Sequence, residues 1–248
     1  MRKYVVLFLF LIVTTTINAQ ETILYGIDDL EKNKFSPWEF NGPTDIVGSY
    51  GFGWSEWEWG LIVLKAGENW CIQTEASSWD VNELGEAIGI LTDFKTYNEL
   101  TLKGNELIDE MGNSIVSFNV YDNSSKIYNL TDEEDLLYGA IHVRHNKVEF
   151  GTYHEYVNKL GNYGMLSTRV FDRSELAAFS AYELKIMRNE IFARYGYIFR
   201  EGGEMAEYFK MKRWYKGTSN NVDKNLTCVE MENIKTILAL EKELKNRN

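Results

Sequence analysis

Tryptophans with carboxylates beside them are the feature of this sequence best suited to chemistry. Five of its seven tryptophans fall between residues 54 and 79. An indole ring stacks on the apolar face of a sugar, and neighbouring carboxylates accept hydrogen bonds from the sugar hydroxyls. The pattern therefore predicts a site for glycan or cell-wall material. The residues proposed to contact this ligand are Trp54, Glu56, Glu58, Trp70, Trp79 and Asp80.

The same tryptophans also suit a hydrophobic core. On a β-strand, alternate side chains share a face, so Trp57 and Trp59 face one way while Trp54, Glu56 and Glu58 face the other. Large aromatic side chains dominate many small β cores. We therefore expect Trp57 and Trp59 in the core and leave the other tryptophans open between core and ligand.

The acids near the tryptophans offer an alternative function, hydrolysis of a glycan. Glycosidases place two carboxyl groups roughly 5–10 Å apart across a cleft, one as acid and the other as base or nucleophile. Glu56, Glu58, Glu75 and Asp80 are the acids close to the cluster. Because acidic residues are abundant throughout this half of the chain, a non-enzymatic binding role is preferred and no catalytic residue is assigned.

Neither a metal nor a cofactor is expected. The only histidines are His142, His145 and His154. His142 and His145 lie three positions apart on a predicted strand, which directs them to opposite faces and prevents them from chelating together. The acids at 132–135 follow a capping-box threonine, so they are interpreted as the start of a short helix rather than a calcium site.

The elements that must position these residues differ between the two halves of the chain. Short, aromatic and β-branched runs punctuated by Gly, Asn and Asp fill the first half and predict antiparallel β structure. About eight such runs indicate a β-sandwich or a small barrel. The predicted strands cover residues 57–65, 70–75, 89–94, 99–103, 106–109, 114–121, 126–130 and 138–150, the last with a break near Asn146.

The second half of the sequence predicts a small all-α domain. The complete chain is therefore predicted to be an α+β protein of two domains. Ser180 and Glu183 form a capping box that opens a helix reaching about residue 195. Its buried stripe is Leu184, Met187, Ile191 and Tyr195. A second helix is predicted over 204–210, and a third opens at the Thr227 capping box with Ile234, Ile237, Leu238 and Leu244 facing inward.

Residues 187–199, which read MRNEIFARYGYIF, resemble the signature of the YARHG domain. The resemblance spans about residues 167–243. Phe192 stands where the motif has tyrosine, and Tyr195 stands in place of its histidine, so a role carried by that histidine in relatives would be missing here. The resemblance implies an extracellular or envelope domain of bacterial proteins without an established molecular function.

The motif residues carry two interpretations. Their polar members either form a recognition patch for an anionic partner or hold the helix to neighbouring segments, and the structural interpretation is preferred. Gly196 is expected to end the helix in the left-handed conformation. The motif residues considered are Arg188, Asn189, Glu190, Phe192, Ala193, Arg194, Tyr195 and Gly196.

The first 19 residues combine a basic start, an apolar run from 4 to 13 and a small residue, Ala19, at the expected cut. This pattern predicts a cleaved signal peptide and a secreted or periplasmic protein, without membrane insertion after cleavage. The absence of a nearby cysteine argues against a lipid anchor. Expected partners are glycan, cell-wall material or another envelope protein.

Charge divides the remaining chain into an acidic β domain over 20–164 and a helical domain over 165–248. The first holds 9 basic and 25 acidic residues, net −16, and the second 15 and 12, net +3. The whole-chain charge of −11 argues against nucleic acid and against anionic lipid. Opposite signs also predict attraction between the domains.

Cys71 and Cys228 are the only cysteines and lie in different predicted domains. In an exported protein they either form one disulfide or remain two small buried side chains. The sequence leaves both possibilities open.

Overall fold

A computed structural model describes residues 23–25, 28–52, 59–81, 83–124, 135–154 and 159–247. The predicted signal peptide, Trp54, Glu56, Trp57 and Glu58, the predicted strand over 126–130 and residues 132–134 lie outside the described residues. Three short strands come first in the chain: β1 (Ile23–Tyr25), β2 (Asp28–Leu30) and β3 (Phe35–Pro37). The next eight are β4 (Gly48–Phe52), β5 (Trp59–Ala66), β6 (Asn69–Val81), β7 (Ala87–Lys103), β8 (Glu106–Ile108), β9 (Ser114–Asp122), β10 (Leu136–Arg144) and β11 (Lys147–His154).

Strands β4 to β11 form a closed antiparallel barrel. Each pairs with the next along the chain, and β11 pairs with β4 through Thr152 and Gly51 to close the ring. Outside the ring, β1 runs parallel to β11, β2 pairs with β1, and β3 pairs with β9. The prediction of antiparallel β structure is confirmed, and of its two forms the barrel is the one observed.

Strand alternation divides the barrel into an inner and an outer face. On β6, Trp70 and Ile72 lie in the barrel core, while Cys71 and Gln73 point outward and are equally buried. An outer face that is also buried requires a covering layer. The helical part of the chain supplies it.

The prediction of two separate strands over 89–94 and 99–103 is wrong, because both ranges belong to the single strand β7. It is continuous, and the break in pattern is a bulge, where the partner of Trp70 is Leu100 while the partner of Ile72 is Tyr97. Glu99 occupies the bulge with a φ of 59°. One extra residue restores the inward direction of Leu100 after Tyr97.

The helices are α1 (Arg173–Leu176), α2 (Ala181–Arg194), α3 (Glu204–Lys210) and α4 (Cys228–Arg247). The predicted capping boxes at Ser180 and Thr227 are present, and Gly196 adopts the predicted left-handed conformation, with a φ of 72°. The whole predicted stripe of α2 is buried. For α4, the prediction that Ile237 faces inward is confirmed, but Leu238 is 47% exposed and Leu240 faces the core in its place. No helix among the described residues is both long enough and apolar enough to span a bilayer.

A disulfide joins the barrel to the helical part. Cys71 on β6 is bonded to Cys228, the first residue of α4. Ile62 and Leu64 of β5 pack with Val229 around the bond. Two ion pairs add to this contact, Glu75 with Lys159 and Asp80 with Lys216. Only the second joins the two charge-defined halves, because Lys159 lies within the range predicted as the acidic domain.

Candidate functional site

One end of the barrel opens into a cavity of about 170 Å³, which we call the barrel mouth. Strands β6 and β7 form one side of its wall, and β10, across the ring from them, forms the other side. The β10–β11 turn completes the rim. The polar and aromatic side chains that line the mouth are Thr74, Asp93, Lys95, Tyr97, His142 and His145, and Ala76 and Val143 complete the lining.

Aromatic core side chains pack behind His142, one of the residues that line the mouth. The Trp59 indole is 5% exposed and stacks on Phe52, with 3.9 Å between ring centroids. Its Nε1–H donates to Glu149 Oε2 at 2.6 Å, and its ring centroid lies 5.6 Å from that of His142. Trp59 therefore belongs to the core, as predicted, and supports the wall of the mouth through its contact with His142.

Strand β7 places two opposite charges on the wall of the mouth. Asp93 and Lys95 are separated by one residue, so they share a face with Tyr97, the next in this series. Lys95 Nζ lies 4.7 Å from the centroid of the Tyr97 ring. Among the described residues, neither Asp93 nor Lys95 has an ion-pair partner. These three residues were not predicted as site residues, although the alternation of positions 93, 95 and 97 is visible in the sequence.

His142 and His145 both line the mouth, so the expectation that they point to opposite faces of a strand is wrong. His142 is 6% exposed, and its Nδ1 lies 2.7 Å from the carbonyl oxygen of Ile115. His145 is in the turn after β10, with a φ of 48°, so strand alternation does not apply to it. In the part of the chain that the structure describes, no three His, Cys, Asp or Glu side chains are placed to hold a metal ion.

The YARHG-like motif builds a second polar centre, which is buried. Glu190 is fully buried and forms an ion pair with Arg194, with 2.9 Å between Oε1 and Nη2. Its carboxylate also accepts hydrogen bonds from the backbone N–H groups of Asn162 and Tyr163, at 3.1 and 2.6 Å. Arg194 Nε donates to the Leu160 carbonyl at 2.5 Å. These bonds fix the segment before α1 against α2.

Tyr195, which stands where the motif has histidine, extends this centre to the barrel. Its hydroxyl donates to Glu230 Oε2 at 2.8 Å and accepts a hydrogen bond from Gln73 Nε2 at 3.0 Å. Gln73 and Glu230 are both fully buried. Burial first, and then the neighbouring Glu230 carboxylate, raise the pKa of Tyr195 well above its ordinary value. The tyrosine thus acts as a neutral hydrogen-bonding bridge between β6, α2 and α4.

The other polar motif residues also bond within the helical part. Arg188 Nε donates to Glu241 of α4 at 3.1 Å, and Asn189 Nδ2 donates to the Lys185 carbonyl at 2.7 Å. Phe192 packs against the core, while Ala193 is buried against the cluster containing Phe209. The structural interpretation accounts for each of these contacts.

The tryptophan cluster divides among different environments. Trp70, proposed as a ligand contact, is 4% exposed inside the barrel core; that proposal is wrong because its indole has no access to a surface ligand. Trp79, near the end of β6, is 58% exposed. Asp80 beside it binds Lys216 Nζ at 2.5 Å.

Of the four acids considered for hydrolysis, the two that the structure describes, Glu75 and Asp80, do not pair across a cleft. Glu75 and Asp80 lie five positions apart on β6, so their Cα atoms are about 16 Å apart along the strand. Each is also paired with a lysine from the helical part. Glu56 and Glu58 lie outside the described residues.

Comparison with known proteins identifies the helical part. Residues 158–242 match the family model of the YARHG domain, about as far as the motif resemblance predicted. No curated protein and no solved structure matches the chain. The chain therefore carries a YARHG domain packed on an antiparallel barrel.

Proposed function

We propose that this chain with its YARHG domain is a non-enzymatic binding module of the bacterial envelope or exterior, whose first ligand class is glycan or cell-wall material. The two parts act as separate domains with different tasks: the barrel contacts the ligand, and the YARHG domain holds the barrel. A secreted or periplasmic location is part of this proposal, and the disulfide between Cys71 and Cys228 supports it, because such bonds persist in oxidising compartments.

The exposed indole of Trp79 is the observation that carries the proposal. An exposed large apolar side chain is informative where its neighbours are buried or paired. Trp70 and Trp59 are in the core, whereas Trp79 is 58% exposed. Ser77, two residues before it on the same face of β6, and Thr92, the cross-strand partner of Ser77, are also exposed. A ring bordered by hydroxyls suits stacking on a sugar with hydrogen bonds around its edge.

The YARHG domain holds this surface in place. Lys216 binds Asp80, the residue after Trp79, and Lys159 binds Glu75 on the same strand. A binding surface that is fixed before the ligand arrives loses less conformational entropy on binding. The buried bonds of Glu190, Arg194 and Tyr195 then serve the scaffold, and the anionic-patch interpretation of the motif is not needed.

Binding of the intact, disulfide-bonded chain to a panel of soluble and insoluble bacterial polysaccharides, including purified cell-wall sacculi, tests the proposal. We expect Trp79→Ala to weaken binding at least tenfold, the loss of one stacked ring. Tyr182→Ala, which removes an aromatic ring 48% exposed on α2, is the matched control and should leave binding unchanged. Absence of binding to every glycan in the panel, or equal binding by the Trp79 variant, would overturn the glycan assignment.

A further inference from the structure

We propose that the barrel mouth binds a small zwitterion, a free amino acid or a dipeptide. This site is separate from the Trp79 surface and does not depend on glycan binding. The residues named in its wall all belong to the described part of the chain.

The dimensions of the mouth set the size of its ligand. Eight-stranded barrels have an interior that side chains fill or that holds one small ligand. Here core side chains fill other parts of the interior, and the mouth leaves about 170 Å³. That space is smaller than the roughly 300–1,000 Å³ of pockets for drug-sized molecules, yet far larger than one water requires. An amino acid or a dipeptide is of the matching size.

The charges set the ligand's chemistry. Asp93 and Lys95 lie about 7 Å apart along β7 and direct opposite charges into the same cavity. Each lacks an ion-pair partner among the described residues. A simple anion would meet the Asp93 carboxylate, and a simple cation would meet the Lys95 ammonium. A ligand that carries both charges satisfies the two residues together.

The remaining walls suit the uncharged parts of such a ligand. The Lys95 ammonium lies over the Tyr97 ring, and this ring adds an aromatic surface to the wall. On the opposite wall stand His142 and His145, and Thr74 of β6 adds a hydroxyl. The carbonyl of Ile115 holds the His142 ring by its Nδ1, so this wall is fixed in the free protein. Preorganised polar groups beside an aromatic side chain, here Tyr97, are the usual composition of a small-molecule site.

The proposal can be tested by two-dimensional ¹H–¹⁵N NMR titration of the intact, disulfide-bonded chain. The probes are alanine and alanyl-alanine, with N-acetylalanine, alaninamide and glucose as matched compounds lacking one charge or both. The variants are Asp93→Asn and Lys95→Gln. Glu99→Gln and Lys103→Gln, exposed charges farther along the same strand, are their controls.

We expect alanine or alanyl-alanine to shift the amide signals of Thr74, Tyr97 and His142. Removing either ligand charge, or either protein charge, should raise Kd about ten- to a hundredfold, since each deletes one charge-assisted hydrogen bond. The control variants should bind like the native chain. No shift with either zwitterion, equal affinity for glucose or the capped compounds, or unchanged binding by both mouth variants would refute the proposal. None of these outcomes affects the Trp79 experiment.

Discussion

Replacing Tyr195 by phenylalanine removes the hydroxyl that links the barrel to the YARHG domain and leaves the ring in place. Glu230 loses one donor to a buried carboxylate but keeps the hydroxyls of Ser167 and Thr227 and the Thr227 N–H. Gln73 keeps Thr96 and the Asn225 carbonyl. Hydrogen bonds to charged groups contribute about 1.5–3 kcal/mol. We therefore expect the free energy of unfolding to fall by about 2 kcal/mol at pH 7.

The raised pKa of Tyr195 adds a second, independent expectation. Above pH 10 the unfolded chain releases the tyrosine proton while the folded chain retains it, so this contribution to stability is lost as pH rises from 10 towards the folded pKa. The loss is about 1.4 kcal/mol per pH unit for each such tyrosine. Tyr50, whose pKa is raised by burial and then by Tyr153, adds a similar term in both proteins. Because the variant lacks the Tyr195 contribution, the difference between native and variant should shrink to about 0.6 kcal/mol by pH 11.

Urea denaturation followed by circular dichroism at pH 7, 9, 10 and 11 measures both effects. Tyr182→Phe, an exposed tyrosine on the same helix, is the control and should unfold like the native chain at every pH. A loss below about 0.5 kcal/mol at pH 7, the size expected of ordinary surface substitutions, would refute the bridging role. A difference that stays constant up to pH 11 would refute the raised pKa.

Two further variants, one double and one single, test the disulfide and the buried ion pair. The double variant Cys71→Ala, Cys228→Ala should lower the free energy of unfolding by about 5 kcal/mol, the chain-entropy value for a loop closed across 157 residues. A loss below 1 kcal/mol would contradict the bond. So would two free thiols found in the native protein by non-reducing mass spectrometry. Glu190→Gln should cost about 3–5 kcal/mol in thermal or urea unfolding, because it leaves Arg194 buried without its counter-charge and turns an amide towards the N–H of Asn162. Glu204→Gln, which breaks only an exposed pair with Lys185, should cost less than 1 kcal/mol, and equal losses for the two variants would contradict the buried-network interpretation.

Local signals made the helical half predictable. Capping boxes at Ser180 and Thr227, and the helical period of α2, depend on residues a few positions apart, so sequence spacing reports them directly. The Glu190–Arg194 pair follows from the same spacing. Leu238 was misplaced because the buried side of α4 at this point is set by tertiary packing, where Ile237 and Leu240 contact the core built on α2.

Long-range pairing made the barrel less predictable. The ring closes between β4 and β11, about 100 residues apart, and nothing near Gly51 specifies Thr152 as its partner. The barrel mouth is hard to predict for the same reason, because His142 lies in one cavity with Asp93 and Lys95 only when the ring of strands is closed. Gln73 was not singled out either, because its hydrogen bonds to the YARHG domain involve residues more than 100 positions away.

The covalent link between Cys71 and Cys228 also determines how the chain responds to proteases. It encloses the greater part of the barrel and of the YARHG domain in one loop. A single peptide-bond cut anywhere inside that loop separates no fragment, since both pieces remain joined through sulfur. In surroundings rich in hydrolytic enzymes, the nicked chain would keep its barrel and its scaffold together until a reductant reached the buried bond.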